Sequence, residues 1–265
     1  MVHSIKRPQR VLVSGAAGGL GVAVARRFTK DGARVALTDV NAEGLERIAH
    51  EVGGIALPAD GRFRDHLAGV VSSATEALGG LDAVIAVQGA AFVSTTSTKT
   101  EKAWNQSLDV NLSGPFHLAC EALPHLVDSK GSLVMISSAA GIFAGPPGTA
   151  GYTAAKSGVI GLVRWLARQY GPSGVRVNAV CPGWIRTQLG EGGMGYLAQR
   201  EGITIDEAYA LATKHVPLRR AADPEEIANA CAYLTSSDAS FVTGTALVAD
   251  GGGSAMDVGT AIFDE

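Results

Sequence analysis

The chain is poor in cysteine and aromatic residues, and it has no surplus of charge of one sign. Cys120, Cys181 and Cys231 lie far apart without a Cys-x-x-Cys spacing, so we expect buried, unbridged thiols rather than a disulfide framework. The six histidines include no His-x-x-x-His pair, which leaves no motif for a metal site built by the protein. A formal net charge of -3 provides no basic surface for a phosphate backbone, which argues against nucleic acid as a partner.

Long apolar runs are also absent. No stretch of 18 uninterrupted apolar residues occurs, and residues 1–10 are polar and basic without an apolar segment before a cleavage site. A transmembrane helix and a secretion signal each require such a segment. We therefore expect a cytoplasmic protein without a membrane partner.

The composition favours one large globular unit. The 265 residues are 46% hydrophobic and 18% charged, which is enough to bury a large core in a single α/β domain over residues 1–265; two small domains are the alternative. The 34 glycines suit tight turns between strands and helices.

Short β-branched runs alternate with longer segments of helical spacing. Strands are predicted at residues 10–14, 34–39, 55–58, 81–87, 132–137, 175–180 and 246–249, and helices at 20–30, 42–51, 64–78, 101–127, 152–170 and 224–234. The alternation indicates a doubly wound fold, with a seven-stranded parallel sheet covered by helices on both faces. Residues 188–216 interrupt the alternation of strands and helices. This segment begins with four glycines and continues with helical spacing, which predicts a mobile flap over the active site.

The first predicted strand runs into a glycine turn and then a helix, the context of a Rossmann-type nucleotide site. Gly15 permits the tight turn, Gly19 lets the backbone approach a pyrophosphate, and Gly21 lets the helix pack on the strand. Asp39 ends the second strand, 18 residues after Gly21, where a carboxylate accepts hydrogen bonds from both adenosine ribose hydroxyls. Asp60 follows the third strand, where it either meets the adenine or lies in a solvated turn.

The charge around the predicted ribose site favours NAD over NADP. The carboxylate of Asp39 would repel a 2′-phosphate. No Arg or Lys stands at positions 16, 17, 40 or 41 to neutralise such a phosphate.

Tyr152 and Lys156 stand four residues apart in a predicted helix. This spacing places both side chains on one face, where an ammonium lies close to a phenol and favours its ionised form. A phenol in that environment can exchange a proton with an alcohol.

These residues belong to a series of six motifs that resembles the short-chain dehydrogenase/reductase family along nearly the whole chain. The six are the glycine motif at residues 14–21, with Ser14 in place of Thr; Asn111 within 109–114; Ser138 within 136–141; the Tyr152 and Lys156 pair; residues 178–183, which look like the family's segment facing the nicotinamide; and residues 248–252, which resemble its closing strand.

The resemblance implies a role for each catalytic residue. Tyr152 would exchange a proton with the substrate oxygen, while Lys156 would lower the tyrosine pKa, aided by the positive nicotinamide ring, and hold the nicotinamide ribose. Ser138 would hydrogen-bond the substrate oxygen, with Ser137 as the alternative. Asn111 would hold a water that links Lys156 to solvent, or else serve as a core amide bonded to backbone.

The resemblance also implies which residues contact the ligands. The cofactor contacts are Ser14, Gly15, Gly18, Gly19, Leu20, Asp39, Val40, Asp60, Gly61, Gln88, Gly89, Tyr152, Lys156, Pro182, Gly183, Ile185 and Thr187. The substrate contacts are Ser138, Tyr152, Trp184, Met194 and Tyr196, of which Trp184 and Tyr196 are equally interpreted as packing residues. The pocket walls are mostly apolar or small, which favours a neutral secondary alcohol or ketone, although Arg186 keeps an acidic substrate open.

Two segments depart from the family pattern. Ala86-Val87-Gln88-Gly89 replaces the usual Asn-Asn-Ala-Gly, so the asparagine that braces the central sheet is lost. The interval from Ser138 to Tyr152 is about one residue longer than usual and contains Gly145-Pro146-Pro147-Gly148.

We therefore expect an NAD-dependent oxidoreductase that interconverts a secondary alcohol and a ketone. The alternative is a 3-oxoacyl-thioester ketoreductase, which would use NADPH and is disfavoured by Asp39. A non-enzymatic nucleotide-binding protein is the third hypothesis, but it predicts erosion of the catalytic residues. The resemblance further implies a homo-oligomer, tetramer or dimer, formed through the helices at residues 101–127 and 152–170.

Overall fold

A seven-stranded parallel sheet forms the centre of the molecule, as the sequence predicts. The computed structural model describes residues 6–257 and 259–260. The strands are β1 Arg10–Ser14, β2 Arg34–Thr38, β3 Ile55–Ala56, β4 Ala83–Ala86, β5 Ser132–Ile136, β6 Arg176–Pro182 and β7 Ala246–Ala249, in the order β3-β2-β1-β4-β5-β6-β7.

Helices follow the strands along the chain. They are α1 Gly19–Lys30, α2 Ala42–Val52, α3 Arg64–Leu78, α4 Glu101–Leu108, α5 Gly114–Ser129, α6 Ala150–Tyr170, α7 Gln188–Glu201, α8 Ile205–Ala212 and α9 Pro224–Thr235, with a π-helical turn at Asp109–Ser113 between α4 and α5.

Both faces of the sheet are buried, because successive side chains of a strand point to opposite faces. In β1, Leu12 packs in the apolar cluster formed with α3, α5 and α6. Val11 and Val13 pack in the second cluster, with α1, α2 and α9. The prediction of a sheet covered on both sides is therefore confirmed.

The strand order reverses between β1 and its neighbours β2 and β4. β1 pairs in parallel with both, and the connection from β1 to β2 runs along the sheet in the opposite direction to the connection from β4 to β5. A crevice opens at the carboxyl ends of the strands at such a switch point, where open α/β sheets bind their ligands. This topology places the functional site at the ends of β1, β4 and β5.

The prediction of one regular helix at residues 101–127 is wrong, because a π-helical turn divides this segment into α4 and α5. Widening the turn leaves a carbonyl of the preceding turn free of its normal partner. The side-chain amide of Asn111 donates to Ser107 O over 2.9 Å and satisfies that carbonyl. Helical periodicity does not report such an insertion, and π turns of this kind occur frequently at functional sites.

The flap segment also differs from its prediction. Its glycines lie inside α7, which begins at Gln188, rather than in a loop before a helix. A Cβ on Gly190 would come within 2.2 Å of Ile185 O, and one on Gly193 within 3.1 Å of the Trp184 ring. The glycines therefore allow α7 to pack closely on the segment after β6, and the loop interpretation was wrong because it considered backbone freedom alone.

Candidate active site

A groove of about 2220 Å³ follows the carboxyl ends of the strands. Every residue predicted to contact the cofactor or the substrate lines this groove. Of the four predicted catalytic residues, Ser138, Tyr152 and Lys156 line it, and Asn111 lies behind it. Residues more than 150 positions apart in the sequence, such as Ser14 and Tyr196, therefore line the same groove.

The glycine turn has the close packing that the motif requires. Gly15 adopts φ +71°, and a Cβ there would lie 2.6 Å from Gln88 N. A Cβ on Gly21 would lie 2.0 Å from Gly15 O, so the helix can approach the strand only without a side chain. Helix α1 has no side-chain cap at Gly18, which leaves its first N–H groups available to an anion such as a pyrophosphate.

The carboxylate of Asp39 is held at the end of β2 by backbone groups. Its two oxygens accept hydrogen bonds from Ala17 N over 3.0 Å and from Asn41 N over 2.9 Å. The turn after β1 and the start of α2 thus fix an anionic group at the nucleotide end of the groove. A carboxylate oxygen has further acceptor capacity beyond these bonds, so Asp39 can still accept from ribose hydroxyls.

Asp60 and Gln88 line the same end of the groove. Asp60 pairs with Arg62 through both carboxylate oxygens, and this hydrogen bonding holds the pKa of Asp60 below its usual range. The side chain of Gln88 lies near Gly61 and Gly114, where a Cβ on either glycine would approach its Nε2 to 3.1 Å and 2.3 Å. This part of the groove therefore presents a carboxylate engaged by arginine and a half-buried amide.

Tyr152 and Ser138 meet at the centre of the groove. Ser138 begins a short 3-10 turn after β5, and its Oγ accepts a hydrogen bond from Ala140 N over 3.1 Å. Burial raises the pKa of Tyr152 above its ordinary value, while hydrogen bonding with Ser138 opposes that rise. In this arrangement the lowered phenol pKa expected from Lys156 is not present.

Lys156 is almost completely buried, at 2% exposure. Its Nζ donates to Ile136 O over 2.9 Å and lies 5.6 Å from the centre of the Tyr152 ring. Burial lowers the pKa of Lys156 to about 8, because the charged form loses its hydration. The Lys156 ammonium therefore lies beside the Tyr152 phenol in an environment that favours loss of the lysine proton.

The two adjacent serines have different surroundings. Ser137 is buried, and its hydroxyl donates to Lys156 O over 2.7 Å, so it joins β5 to α6. Ser138 is partly exposed to the groove beside Tyr152. Of the two, only Ser138 lies next to Tyr152 with exposure to the groove, and its contact with a substrate oxygen stays a prediction.

Asn111 bonds to backbone on two sides. Its amide donates to Ala90 O and to Ser107 O, each over 2.9 Å, and its oxygen accepts from Ala90 N over 3.1 Å. These bonds match the second of the two roles considered for it, a core amide bonded to backbone. Its role in holding a water near Lys156 stays a prediction.

The part of the groove where substrate is predicted to bind is formed by the segment after β6 and by the flap helices. Met194 is 2% exposed and packs with Ala198 and Tyr209 in a small apolar cluster of the flap. Tyr196 is 70% exposed, and Trp184 packs against this cluster. Met194 and Trp184 therefore act mainly as packing residues, whereas Tyr196 is available to a ligand.

Arg186 is committed to structural contacts. It pairs with Asp206 over 2.7 Å and lies 4.8 Å above the centre of the Tyr209 ring. Tyr209 in turn donates to Ile185 O over 3.1 Å. The guanidinium therefore ties α8 to the segment after β6, which weakens the case for an acidic substrate.

The loss of the bracing asparagine has a visible consequence. Ala86 is buried and stands opposite Ser14 in the β1–β4 register. The hydroxyls of Ser14 and of its other strand neighbour, Thr38, are buried without a hydrogen-bond partner. Buried hydroxyls are normally paired, and the methyl group of Ala86 offers Ser14 no hydrogen-bonding atom.

Sequence reasoning missed three contributors to the site. Leu67 on α3 and Val110 in the π-helical turn line the nucleotide end of the groove. Ser94, in the loop after β4, is completely buried and bonds to the start of α6. No local pattern marks these residues, because each reaches the site through a long-range contact.

The cysteines and histidines form no further site in the part of the chain that the structure describes. Cys120, Cys181 and Cys231 are free thiols. No group of three His, Cys, Asp or Glu side chains in residues 6–257 and 259–260 is arranged to hold a metal ion. Within the same residues, no helix has the length and apolar character needed to cross a membrane.

Comparison with known proteins agrees with this geometry. The family model described as enoyl-(acyl carrier protein) reductase matches residues 15–254. Protein MoaE of Klebsiella aerogenes is 39% identical over 255 residues, which cover 96% of this chain and 98% of that protein. The meso-2,3-butanediol dehydrogenase of Serratia marcescens is 33% identical over 250 residues, covering 93% and 95%.

A solved structure extends the comparison to the backbone. A variant of actinorhodin polyketide ketoreductase, crystallised with NADPH, superposes with a TM-score of 0.86 at 29% sequence identity, covering 92% of this chain and 97% of that one. These similarities extend over nearly the whole fold, including the groove.

Proposed function

The chain belongs to the short-chain dehydrogenase/reductase family, an oxidoreductase family that uses nicotinamide cofactors, and we propose that it uses NAD to interconvert a secondary alcohol and a ketone. One observation carries the proposal. Tyr152, Ser138 and Lys156 converge in the groove whose opposite end holds the glycine turn and Asp39.

The nucleotide end fits a dinucleotide. The turn at Gly15 and the open N-terminus of α1 offer backbone N–H groups to a pyrophosphate. Asp39 offers acceptors to the adenosine ribose, and Lys156 stands where the nicotinamide ribose would lie. The bound cofactor supplies the hydride chemistry, and the protein orients the reacting carbon against it.

Tyr152 handles the proton of the reaction. Its hydroxyl is buried next to Ser138, which can donate to or accept from the same substrate oxygen. Burial alone keeps the phenol protonated, which suits the donation of a proton to a ketone. For alcohol oxidation the phenol must ionise, and the positive charges of Lys156 and of the oxidised nicotinamide ring favour that form.

Asp39 supports the choice of NAD over NADP. Its carboxylate is fixed by Ala17 N and Asn41 N, so it cannot turn away from a 2′-phosphate without losing both bonds. A second anion within a few ångströms would be repelled by this group. The NADPH in the ketoreductase structure belongs to that protein, and the test below distinguishes the two cofactors for this one.

The substrate end supports a neutral substrate. Ala139, Ala140 and Phe143 line one wall, and Leu197 and Tyr196 line the flap side. Arg186 is paired with Asp206. We propose a secondary alcohol or ketone of moderate size, covered by the flap at residues 188–216, with the protein acting as a homo-oligomer.

The proposal is tested by cofactor binding followed by turnover. NADH and NADPH are titrated against the protein by fluorescence, and a panel of secondary alcohols is then screened with NAD at alkaline pH. Tyr152→Phe is the matched variant, because it removes the hydroxyl and keeps the ring. We expect tighter binding of NADH than NADPH, and loss of turnover in Tyr152→Phe with NADH binding retained. Equal turnover of Tyr152→Phe would reject the proton-transfer role.

A further inference from the structure

Helix α6 carries Tyr152 and Lys156 but does not cap its own N-terminus. Its N-cap residue, Thr149, makes no side-chain bond to an N–H of the helix. The Thr149 hydroxyl donates instead to Pro146 O over 2.6 Å. The first N–H groups of a helix have no partner within the helix. Gly151, which directly precedes Tyr152, therefore needs an acceptor from elsewhere in the fold.

Ser94 provides this acceptor from the loop after β4. Its Oγ accepts a hydrogen bond from Gly151 N over 2.8 Å, and the residue is completely buried. Two backbone bonds hold the same contact: Ser94 N donates to Gly148 O over 2.8 Å, and Ala150 N donates to Ser94 O over 3.2 Å. Two hydrogen bonds thus join residue 94 to the first turn of α6, and a third joins it to Gly148 just before the helix.

The fold leaves no room for a side chain at Gly151. A Cβ on Gly151 would lie 2.8 Å from Ser107 Cβ and 3.1 Å from Ser94 Oγ. The helix start is therefore packed against α4 on one side and bonded to Ser94 on the other. Loss of the Ser94 hydroxyl removes the acceptor of Gly151 N, and an unsatisfied buried N–H is costly, so the helix start should shift or loosen.

The loop that carries Ser94 is also fixed at its other end. Asn111 accepts from Ala90 N and donates to Ala90 O. The segment Ala90–Ser94 is thus held between the π-helical turn and the start of α6, and its residues from Ala90 to Val93 form a wall of the groove. The wall of the groove and the helix that carries Tyr152 are therefore joined by Ser94.

We infer that Ser94 is a positioning residue for the acid/base Tyr152. The inference rests on the proposed function, in which Tyr152 exchanges the proton. Without the Ser94 hydroxyl, the first turn of α6 is held less firmly to the loop after β4, and the phenol of Tyr152 aligns less well with Ser138. Ser94 touches neither reacting group and acts through the backbone of Gly151.

The test compares Ser94→Ala with Ser107→Ala. Ser107 is the matched control, because it is completely buried against the same Gly151 and its hydroxyl has no partner. Ser94→Thr retains the acceptor and serves as the conservative variant. The measurements are kcat and its pH profile, the Kd of NADH, the melting temperature, and amide exchange of the peptide that contains Gly151.

We expect Ser94→Ala to lower kcat by about 10- to 100-fold, the loss that a small misplacement of a reacting group produces. The Kd of NADH should change by less than about twofold. The apparent pKa assigned to Tyr152 should rise, because the opposing contact with Ser138 is weakened, and exchange near Gly151 should accelerate. Ser107→Ala should leave all four unchanged, and Ser94→Thr should recover most of kcat.

Two results would overturn the inference. Ser94→Ala with normal kcat and normal exchange, next to an inactive Tyr152→Phe, would overturn the role of Ser94 alone. A parallel loss of kcat, NADH binding and melting temperature would assign Ser94 to general stability instead of positioning. Full turnover of Tyr152→Phe would reject the proposed function itself, and the exchange measurement would then still report whether the Ser94 bond exists.

Discussion

The ammonium of Lys156 donates a hydrogen bond to the carbonyl of Ile136 over 2.9 Å. This bond joins the second turn of α6 to the last residue of β5. Ser137 strengthens the same junction by donating to Lys156 O over 2.7 Å. The charged end of the lysine is therefore buried at the carboxyl edge of the sheet, beside the Tyr152 ring. The burial of that charge has a measurable effect on stability.

Lys156→Met should stabilise the folded protein more at neutral than at alkaline pH. The pKa of Lys156 in the folded state is about 8, below its ordinary value of 10.5, so the unfolded chain binds this proton more tightly. The cost of burying the ammonium is therefore present in full below about pH 8 and disappears as the pH rises to about 10.5. The difference in unfolding free energy between variant and wild type should fall by up to roughly 3 kcal/mol over that range.

Urea denaturation near pH 7 and near pH 10 checks this difference. Lys30→Met, which changes an exposed lysine at the end of α1, is the control and should show no such pH dependence. A stability difference that is equal at both pH values would contradict the buried-charge account of Lys156.

Asp39→Ser should reverse the preference between the two cofactors. Removing the carboxylate eliminates the repulsion of a 2′-phosphate and the charge-assisted bonds to the ribose hydroxyls. Because a hydrogen bond to a charged group contributes about 1.5–3 kcal/mol, the Kd of NADH should rise by at least about 10-fold while that of NADPH falls. Fluorescence titration of both cofactors measures the two constants.

Asp65→Ser is the matched control for this substitution. Asp65 is an exposed carboxylate in the first turn of α3, so its removal changes the net charge equally without touching the ribose site. It should leave the ratio of the two Kd values unchanged. Stronger binding of NADPH than NADH by the wild-type protein would refute the role given to Asp39.

Ser14→Ala and Ser137→Ala should have different effects on stability, although both residues are buried serines. The Ser14 hydroxyl has no partner, so its removal should change the unfolding free energy by less than about 0.5 kcal/mol or increase it. Ser137→Ala removes the bond to Lys156 O and should cost about 1–3 kcal/mol. Chemical denaturation of the cofactor-free protein checks both values, and an equal loss in the two variants would show that Ser14 has a partner.

Self-association should depend on the exposed face of α4, α5 and α6. Trp104, Phe116 and Trp165 are exposed on these helices, at 37%, 41% and 58%, and burying such side chains favours association. We expect a tetramer or dimer in sedimentation analysis, and a shift to smaller species in Trp165→Glu. Phe63→Ser, at an exposed position before α3, should leave the oligomeric state unchanged; a monomeric wild-type protein would contradict this prediction.

The sequence predicted the fold well where periodicity is local. The bounds of β1, β7 and α3 agree with the predicted ranges, because a short apolar run marks each strand and Gly79 caps the end of α3. The π-helical turn at Asp109–Ser113 and the glycines inside α7 were missed. Both depend on contacts with distant residues, Ala90 for the former and the segment after β6 for the latter.

Among the residues of the candidate site, too, some could be predicted from the sequence and others only from the structure. Tyr152, Lys156 and Asp39 could be chosen from residue type and spacing, and Ser138 could be chosen from the resemblance to the family's motif. Ser94 could not, because a serine in a loop carries no signal of the helix that it bonds. The contacts of Arg186 with Asp206 and Tyr209 could not be predicted from the sequence either, because they form only when α8 packs against the segment after β6.

The sequence by itself determined the order of strands and helices, the glycine turn and the residue types that exchange a proton, since these follow from local pattern and covalent chemistry. Only the tertiary structure decided how those groups interact. It buried Lys156 against Ile136 O, which lowers the lysine pKa, and it left Ser14 without a partner opposite Ala86. It also joined Ser94 to Gly151, because burial and long-range hydrogen bonds arise only when distant segments pack together.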